Sequence, residues 1–113
     1  LENDFKKAGV RTVLCTDDGT MGRKGFVTDA LEDLLQSESP DMICACGPSV
    51  MLRKTAEIAE RHGIACEISL EERMACGVGA CLGCACRIRR DGKECFLHVC
   101  KDGPVFSGKE VVF

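Results

Sequence analysis

A glycine-rich stretch between residues 76 and 84 holds three of the ten cysteines in this sequence of 113 residues. Cys76, Cys81 and Cys84 follow a C-x4-C-x2-C spacing, and Cys100 supplies a fourth thiol farther along the chain. This is one of the spacings in which four thiolates hold a [2Fe–2S] cluster. The intervening glycines let the backbone turn its N–H groups toward the sulfurs. The pattern therefore predicts iron–sulfur ligands at these four positions.

Two other uses of so many cysteines are weighed against the cluster. We expect no disulfide framework, because no secretory signal pattern is visible and the rest of the sequence is typical of a cytoplasmic α/β protein. A structural zinc site usually combines two short C-x2–4-C pairs, whereas here three cysteines share one loop. The cluster is favoured, and a zinc-stabilised interaction module stays open as the alternative.

Composition excludes several classes of partner. The net charge is −3, so no basic surface for nucleic acid is predicted, and the absence of Trp and Tyr leaves little for base stacking. No apolar run approaches the ~20 residues that a membrane span requires. We therefore expect a soluble protein with neither a nucleic acid nor a membrane as partner.

The first 69 residues predict strands alternating with helices. Strands are expected at 11–16, 42–46 and 64–69. A helix capped by Thr28 follows the first strand, and a second helix from Ser49 to His62 follows the next one. Helical crossovers between strands are typical of a parallel sheet, so the predicted fold class is α/β with three parallel strands.

Residues 70–113 have a different character. Asp91-Gly92 between two strand-like runs predicts a β-hairpin, because both turn residues tolerate a positive φ. This hairpin would bring Cys100 back toward the three cysteines of the glycine-rich stretch. The sequence thus predicts two domains, with residues 1–69 as the parallel-sheet module and residues 70–113 as a small β-rich domain that holds the metal.

Several motifs together carry a resemblance to a known family. They are Thr16-Asp17-Asp18-Gly19-Thr20 with Gly25-Phe26-Val27-Thr28-Asp29, Ala45-Cys46-Gly47-Pro48, the stretch Met74-Ala75-Cys76-Gly77-Val78-Gly79-Ala80-Cys81, and Val99-Cys100-Lys101-Asp102-Gly103-Pro104-Val105-Phe106. With them the chain resembles the electron-transfer subunits of NAD-dependent bacterial dihydroorotate dehydrogenases, within the ferredoxin reductase superfamily. The resemblance covers almost the whole sequence.

The resemblance implies a domain order. In that family an FAD-binding barrel comes first, a nicotinamide-nucleotide module second and the [2Fe–2S] domain last. The sequence begins at Leu1 without Met, so we expect it to be the C-terminal part of such a subunit. Residues 1–69 would then be the later half of the nucleotide module, and FAD would be held mostly by the absent N-terminal domain.

The resemblance also implies cofactor-binding residues. Cys46, Gly47 and Pro48 would lie where the nicotinamide meets the flavin. Thr16 and Asp17 would lie near the adenosine ribose, where a carboxylate accepts hydrogen bonds from ribose hydroxyls and repels a 2′-phosphate, which favours NAD over NADP. A core thiol and a solvated turn are the structural alternatives at these positions.

The remaining cysteines and the two histidines are not expected to be ligands. Five cysteines in strand-like runs are interpreted as small apolar fillers, and for Cys86, two residues beyond Cys84, this exclusion rests on the resemblance. The five are Cys15, Cys44, Cys66, Cys86 and Cys95. His62 and His98 lack a partner at metal-ligand spacing.

The implied function is electron transfer rather than catalysis by side chains. An FMN-containing catalytic subunit would oxidise dihydroorotate, and electrons would pass through the cluster and FAD to NAD⁺, in pyrimidine biosynthesis. No residue is expected to act as acid, base or nucleophile. The rival within redox enzymes is the small subunit of an NADH-dependent ferredoxin–NADP oxidoreductase, which shares the Thr-Asp-Asp-Gly and Cys-Gly-Pro elements.

Overall fold

The computed structural model describes residues 1–113, which form two compact units, residues 1–38 and residues 39–113. The first unit contains α1 (Glu2–Lys7), β1 (Cys15–Thr16), β2 (Arg23–Lys24) and α2 (Val27–Leu35). The second contains β3 (Met42–Cys46), α3 (Ser49–Arg61), β4 (Ala65–Ser69), β5 (Ala85–Arg90), β6 (Lys93–His98), α4 (Val99–Asp102) and β7 (Val105–Ser107). None of these helices has the length and apolar character needed to cross a bilayer.

The first strand is shorter than predicted. Only Cys15 and Thr16 form a ladder, and they pair in parallel with Arg23 and Lys24 of β2. The prediction of a strand over 11–16 in one three-stranded parallel sheet is therefore wrong. The physical reason is the tight turn between β1 and β2, which offers backbone partners only to the end of the predicted strand.

Helix α2 also begins earlier than predicted. Its N-cap is Phe26, with extended φ −83° and ψ 150°, whereas Thr28 lies inside the helix and is buried. The carboxylate of Asp29 accepts a hydrogen bond from the Phe26 N–H at 3.3 Å. An acidic residue three positions into the helix thus reaches back to the cap, as in half of a capping box.

The sheet of the second unit is mixed. β3 and β4 are parallel neighbours in the register Met42↔Ala65 to Cys46↔Ser69. β7 lies antiparallel on the other side of β4, with Ile68 opposite Phe106. Helix α3 makes the crossover between β3 and β4 and packs on both strands. The core residues of this unit include Ile43, Leu52, Ile58, Ile68 and Phe106.

The sequence predicted most of this arrangement. The strands at 42–46 and 64–69 are confirmed, with β4 starting one residue later. Helix α3 begins at Ser49 with Pro48 as its N-cap, and Gly63 follows its end with φ +67°, the left-handed conformation that glycine adopts without strain. β7 was missed, because three residues carry no readable alternation of polar and apolar side chains.

The predicted hairpin is confirmed. β5 and β6 pair from Ala85↔His98 to Arg90↔Lys93 around the turn Asp91-Gly92. Both turn residues have a positive φ, 51° and 75°, as a two-residue hairpin turn of type I′ requires. The boundary predicted between residues 69 and 70 falls inside the second compact unit, and that division stays a prediction.

Candidate metal centre

Residues 70–84, which we call the cysteine loop, connect β4 to β5 without any helix or strand. The loop is anchored at both ends by backbone hydrogen bonds. Leu70 N–H donates to the Pro104 carbonyl at 2.9 Å, and Val99 N–H donates to the Cys84 carbonyl at 3.1 Å. Because the second bond comes from the start of α4, the hairpin does return Cys100 to the loop.

The four predicted ligands lie together as two pairs of thiols. The Cys81 thiol donates a hydrogen bond to the sulfur of Cys76, and the Cys100 thiol donates one to the sulfur of Cys84. Cys100 also interacts electrostatically with Cys76, which links the two pairs. Residues that are up to 24 positions apart in the sequence therefore meet in one place.

Backbone N–H groups of the loop point at these sulfurs. Ala80 N–H donates to Cys76 Sγ at 3.3 Å, and Gly83 N–H donates to Cys81 Sγ at 3.4 Å. Hydrogen bonds from the N–H groups of Val78 and Cys81 lower the pKa of the Cys76 thiol to about 6. The loop thus stabilises negative charge on sulfur, the state in which a cysteine ligates a metal.

Cys100 differs from Cys76. Its thiol donates to Cys84, and this hydrogen bond together with burial raises the pKa of Cys100. The Gly79 N–H acts in the opposite direction, because it stabilises the Cys100 thiolate. Gly77 and Gly79 have φ values of +70° and +76°, so both adopt the left-handed conformation. Glycine adopts this conformation without strain, and the loop can therefore turn its N–H groups toward the sulfurs.

The donor set fits a binuclear cluster. No three of the His, Cys, Asp and Glu side chains converge on one point as the ligands of a single metal ion would. The thiols form two pairs instead, and a [2Fe–2S] cluster with four cysteine ligands places two thiolates on each iron. The N–H groups around the sulfurs are the outer contacts that such a cluster requires.

The cysteines interpreted as fillers have other surroundings. Cys66 is buried on β4, and this burial raises the pKa of its thiol. Cys86 donates to the Leu97 carbonyl at 3.5 Å across the hairpin, and burial raises its pKa as well. Cys15 is half-buried in β1, whereas Cys44 in β3 and Cys95 in β6 are exposed. The interpretation of Cys44 and Cys95 as apolar fillers is therefore wrong, because both lie on edge strands with a face open to solvent.

The two histidines lie outside the thiol group. His62 is the exposed C-cap of α3. His98 is the N-cap of α4, where its backbone N–H donates to Asp102 Oδ2 at 2.8 Å. Its Nδ1 lies 3.7 Å from the same oxygen.

The predicted nicotinamide residues lie at the carboxyl end of β3. Cys46 ends the strand, Gly47 follows with φ +150°, and Pro48 caps α3. The Cys46 thiol donates to Glu71 Oε1 at 3.7 Å. Glu71 was not singled out from the sequence, because only the parallel pairing of β3 with β4 brings the start of the cysteine loop beside Cys46.

Thr16 and Asp17 belong to the other compact unit. The Thr16 hydroxyl donates to the Met21 carbonyl at 2.8 Å and accepts from the Met21 N–H at 3.4 Å, so it is engaged within its own turn. Asp18, rather than Asp17, holds this turn, because its Oδ1 accepts from both the N–H and the hydroxyl of Thr20. The Asp17 carboxylate is exposed.

Comparison with known proteins supports an iron–sulfur site at the four cysteines, because all four lie in a segment that matches an iron–sulfur family. Residues 71–112 match the family model of the iron–sulfur cluster binding domain of dihydroorotate dehydrogenase B. The chain is 48% identical over 101 residues to the dihydroorotate dehydrogenase B (NAD(+)) electron transfer subunit of Caldanaerobacter subterraneus subsp. tengcongensis, covering 89% of this chain and 40% of the relative. Residues 71–112 belong to the family of iron–sulfur cluster binding domains of dihydroorotate dehydrogenase B, and most of the chain is similar to electron transfer subunits of that enzyme.

A second curated relative and one solved structure are also similar to most of this chain. The relative is a probable dihydroorotate dehydrogenase B (NAD(+)) electron transfer subunit from Methanopyrus kandleri, which is 44% identical over 97% of this chain and 39% of its own length. A structure of an NADH-dependent reduced ferredoxin-NADP oxidoreductase, described for flavin-based electron bifurcation, superposes with a TM-score of 0.79 at 33% identity, over 97% of this chain and 38% of that one. This chain spans about 40% of the length of the curated relatives that it matches.

Proposed function

We propose that Cys76, Cys81, Cys84 and Cys100 hold a [2Fe–2S] cluster and that the chain transfers electrons within a dihydroorotate dehydrogenase complex. The observation that carries this proposal is the two pairs of thiols in the cysteine loop and on α4. They lie within the residues that match the iron–sulfur family, and many relatives bear the name of an electron transfer subunit.

When bound, the cluster supplies a carrier that accepts and releases one electron at a time. The residues of this chain bind and orient it. Cys76 and Cys81 would supply one pair of ligands, and Cys84 and Cys100 would supply the other. The N–H groups of Ala80 and Gly83 stabilise the thiolates, and burial of Cys84, which is 2% exposed, keeps water from its sulfur.

The wider role is proposed from the family. The chain would be a non-catalytic electron-transfer component, with residues 1–69 as part of a nicotinamide-nucleotide module and residues 70–113 as the cluster domain. Its partner would be an FMN-containing catalytic subunit in the cytoplasm, and NAD⁺ would be the final acceptor through FAD. The name of the relatives, which specifies NAD(+), and the flavin-dependent structural neighbour support this assignment.

Within this role, Cys46, Gly47 and Pro48 are proposed to contact the nicotinamide. They lie at the carboxyl end of a parallel strand and at the start of a helix, which is where open α/β sheets bind ligands. Asp17 is proposed to accept hydrogen bonds from the ribose, and Thr16 to shape the turn that presents it. The engaged Thr16 hydroxyl favours this positioning role over direct contact.

The alternative function, that of a ferredoxin–NADP oxidoreductase small subunit, has support from structural similarity. The ferredoxin-NADP oxidoreductase neighbour shares the fold over 97% of this chain, but its identity is 33%, against 48% for a dihydroorotate dehydrogenase relative. The family matched by residues 71–112 is also that of dihydroorotate dehydrogenase B. Both observations favour the dihydroorotate dehydrogenase assignment.

The proposal is tested by anaerobic purification, visible absorption and analysis of iron, sulfide and zinc. We expect a coloured protein with two irons per chain. Cys81→Ser should abolish or strongly perturb the visible spectrum, because it removes one of four ligands. The matched control is Cys66→Ser, which changes a buried thiol outside the loop and should leave the spectrum intact. Equal loss in both variants, or a colourless protein containing zinc, would refute the assignment.

A further inference from the structure

Lys101 follows the proposed ligand Cys100 on α4 and folds back over the cysteine loop. A Cβ added to Gly79 would lie 2.7 Å from Lys101 Cδ and 3.2 Å from Lys101 Cβ. The aliphatic part of the lysine therefore packs directly on the backbone of the loop. The residue as a whole is exposed, so its stem covers the loop while the ammonium group stays in water.

Gly79 connects this lysine to the ligands. Lys101 fills the space that a side chain on Gly79 would need, and the Gly79 N–H donates to the sulfur of Cys100. Consecutive residues of α4 thus hold the same glycine from two sides. This contact keeps the lysine stem beside the loop that carries Cys76 and Cys81, and the ammonium nitrogen, which is two bonds beyond Cδ, stays within reach of that loop.

The charge of Lys101 is not neutralised by a carboxylate. The chain contains several ion pairs, but none involves Lys101. The neighbouring Asp102 is occupied with His98, whose backbone N–H donates to it at 2.8 Å. Lys101 is therefore a cation without an ion-pair partner, on the helix that also carries the proposed ligand Cys100.

We propose that Lys101 sets the reduction potential of the cluster. This inference rests on the proposed function. Reduction adds one electron from an external donor such as dithionite to a centre already made negative by four thiolates, and no covalent bond is formed or broken. A positive charge nearby stabilises the reduced state more than the oxidised one, which raises the potential. Lys101 is a positioning and tuning residue, since it is not a ligand.

The test is a redox titration of the cluster-containing protein, in which electron paramagnetic resonance measures the amount of reduced cluster at each potential. Lys101→Met keeps an aliphatic stem on Gly79 and removes the charge. We expect its reduction to become about tenfold less favourable, which for one electron is a decrease of about 59 mV in potential. Lys101→Arg keeps the charge and should restore the potential of the original protein. The difference should shrink at high ionic strength, because salt screens exposed charges.

Lys93→Met is the matched control. Lys93 pairs with Arg90 at the turn end of the hairpin, whereas Cys84 adjoins Ala85 at the other end. Five residues of β5 separate the two ends, a distance of about 17 Å. This distance exceeds the Debye length of about 8 Å at physiological salt. This variant should leave the potential unchanged.

Three outcomes would overturn the inference. An unchanged potential in Lys101→Met would show that the charge has no influence. Loss of iron from both Lys101→Met and Lys101→Gln would make Lys101 a structural residue of the loop instead. If the original protein itself contains no [2Fe–2S] cluster, the proposed function fails and this inference fails with it, and iron analysis distinguishes that case from the other two.

Discussion

At the scale of residues, the contact between Cys46 and Glu71 joins two parts of the proposed electron path. Cys46 ends β3, whereas Glu71 is the first residue of the segment that matches the iron–sulfur family. Their hydrogen bond of 3.7 Å gives the thiol one defined direction at the edge where a nicotinamide is proposed to bind. Glu71 is thus a positioning residue for Cys46.

Substitution of these two residues tests that role. In the flavin-containing protein, Cys46→Ala should slow reduction of the cluster by NADH several-fold without removing iron, and Glu71→Ala should have a smaller effect in the same direction. Stopped-flow measurement of the loss of visible absorption reports the rate. Glu72→Ala is the control, because it changes the neighbouring carboxylate. Unchanged rates in Cys46→Ala would mean that Cys46 is only a structural thiol.

At the scale of elements, the junction between α4 and β7 supports the fourth ligand. A Cβ on Gly103 would lie 2.6 Å from Cε2 of Phe106, whose side chain is buried, and 3.2 Å from the Val99 carbonyl oxygen. The absence of a side chain at Gly103 therefore lets β7 fold back against the end of the helix that carries Cys100. A larger residue must displace either the ring or the helix.

Gly103→Ala should destabilise the protein by about 1–3 kcal/mol through overpacking, and should also weaken retention of the cluster. Chemical denaturation and the visible spectrum measure the two effects. Gly92→Ala is the matched control: a Cβ at Gly92 meets nothing within 4 Å, and only its φ of +75° is unfavourable. We expect it to cost about 1 kcal/mol and to keep the cluster. A Gly103→Ala protein that retains full stability and colour would contradict this account.

At the scale of the whole molecule, we expect the cysteine loop to depend on its proposed cluster for order. The segment 71–83 contains no buried residue and no helix or strand, and the hydrogen bonds of its N–H groups go mainly to the cysteine sulfurs. A site of this kind couples metal binding to folding, because the ligands hold the chain in place of a core. The sheet and α3 have their own apolar core and do not depend on the cluster in this way.

Removal of the iron by a chelator under reducing conditions should therefore open the loop. Trypsin is expected to cleave after Arg73 several-fold faster in the iron-free protein, as detected by mass spectrometry of the fragments. Arg53 in the middle of α3 is the internal control, and cleavage after it should change little. Equal protection of Arg73 with and without iron would show that protein contacts alone hold the loop.

The sequence by itself determined the features that depend on local chemistry. The spacing of Cys76, Cys81 and Cys84 marked the loop, and Asp91-Gly92 fixed the hairpin turn because both residues tolerate a positive φ. Gly63 marked the end of α3 for the same reason. Neighbouring residues suffice to specify these features, so they could be predicted from the sequence.

Only the tertiary structure decided which distant groups meet. The pairing of Cys84 with Cys100, the contact of Cys46 with Glu71 and the packing of Lys101 on Gly79 all join segments that are separated in sequence. The pairing of the short β1 with β2 was also decided by the tertiary structure, whereas the sequence predicted a strand of a wider sheet. Such contacts follow from strand pairing and helix packing across the unit, and residue types or spacing alone do not specify them.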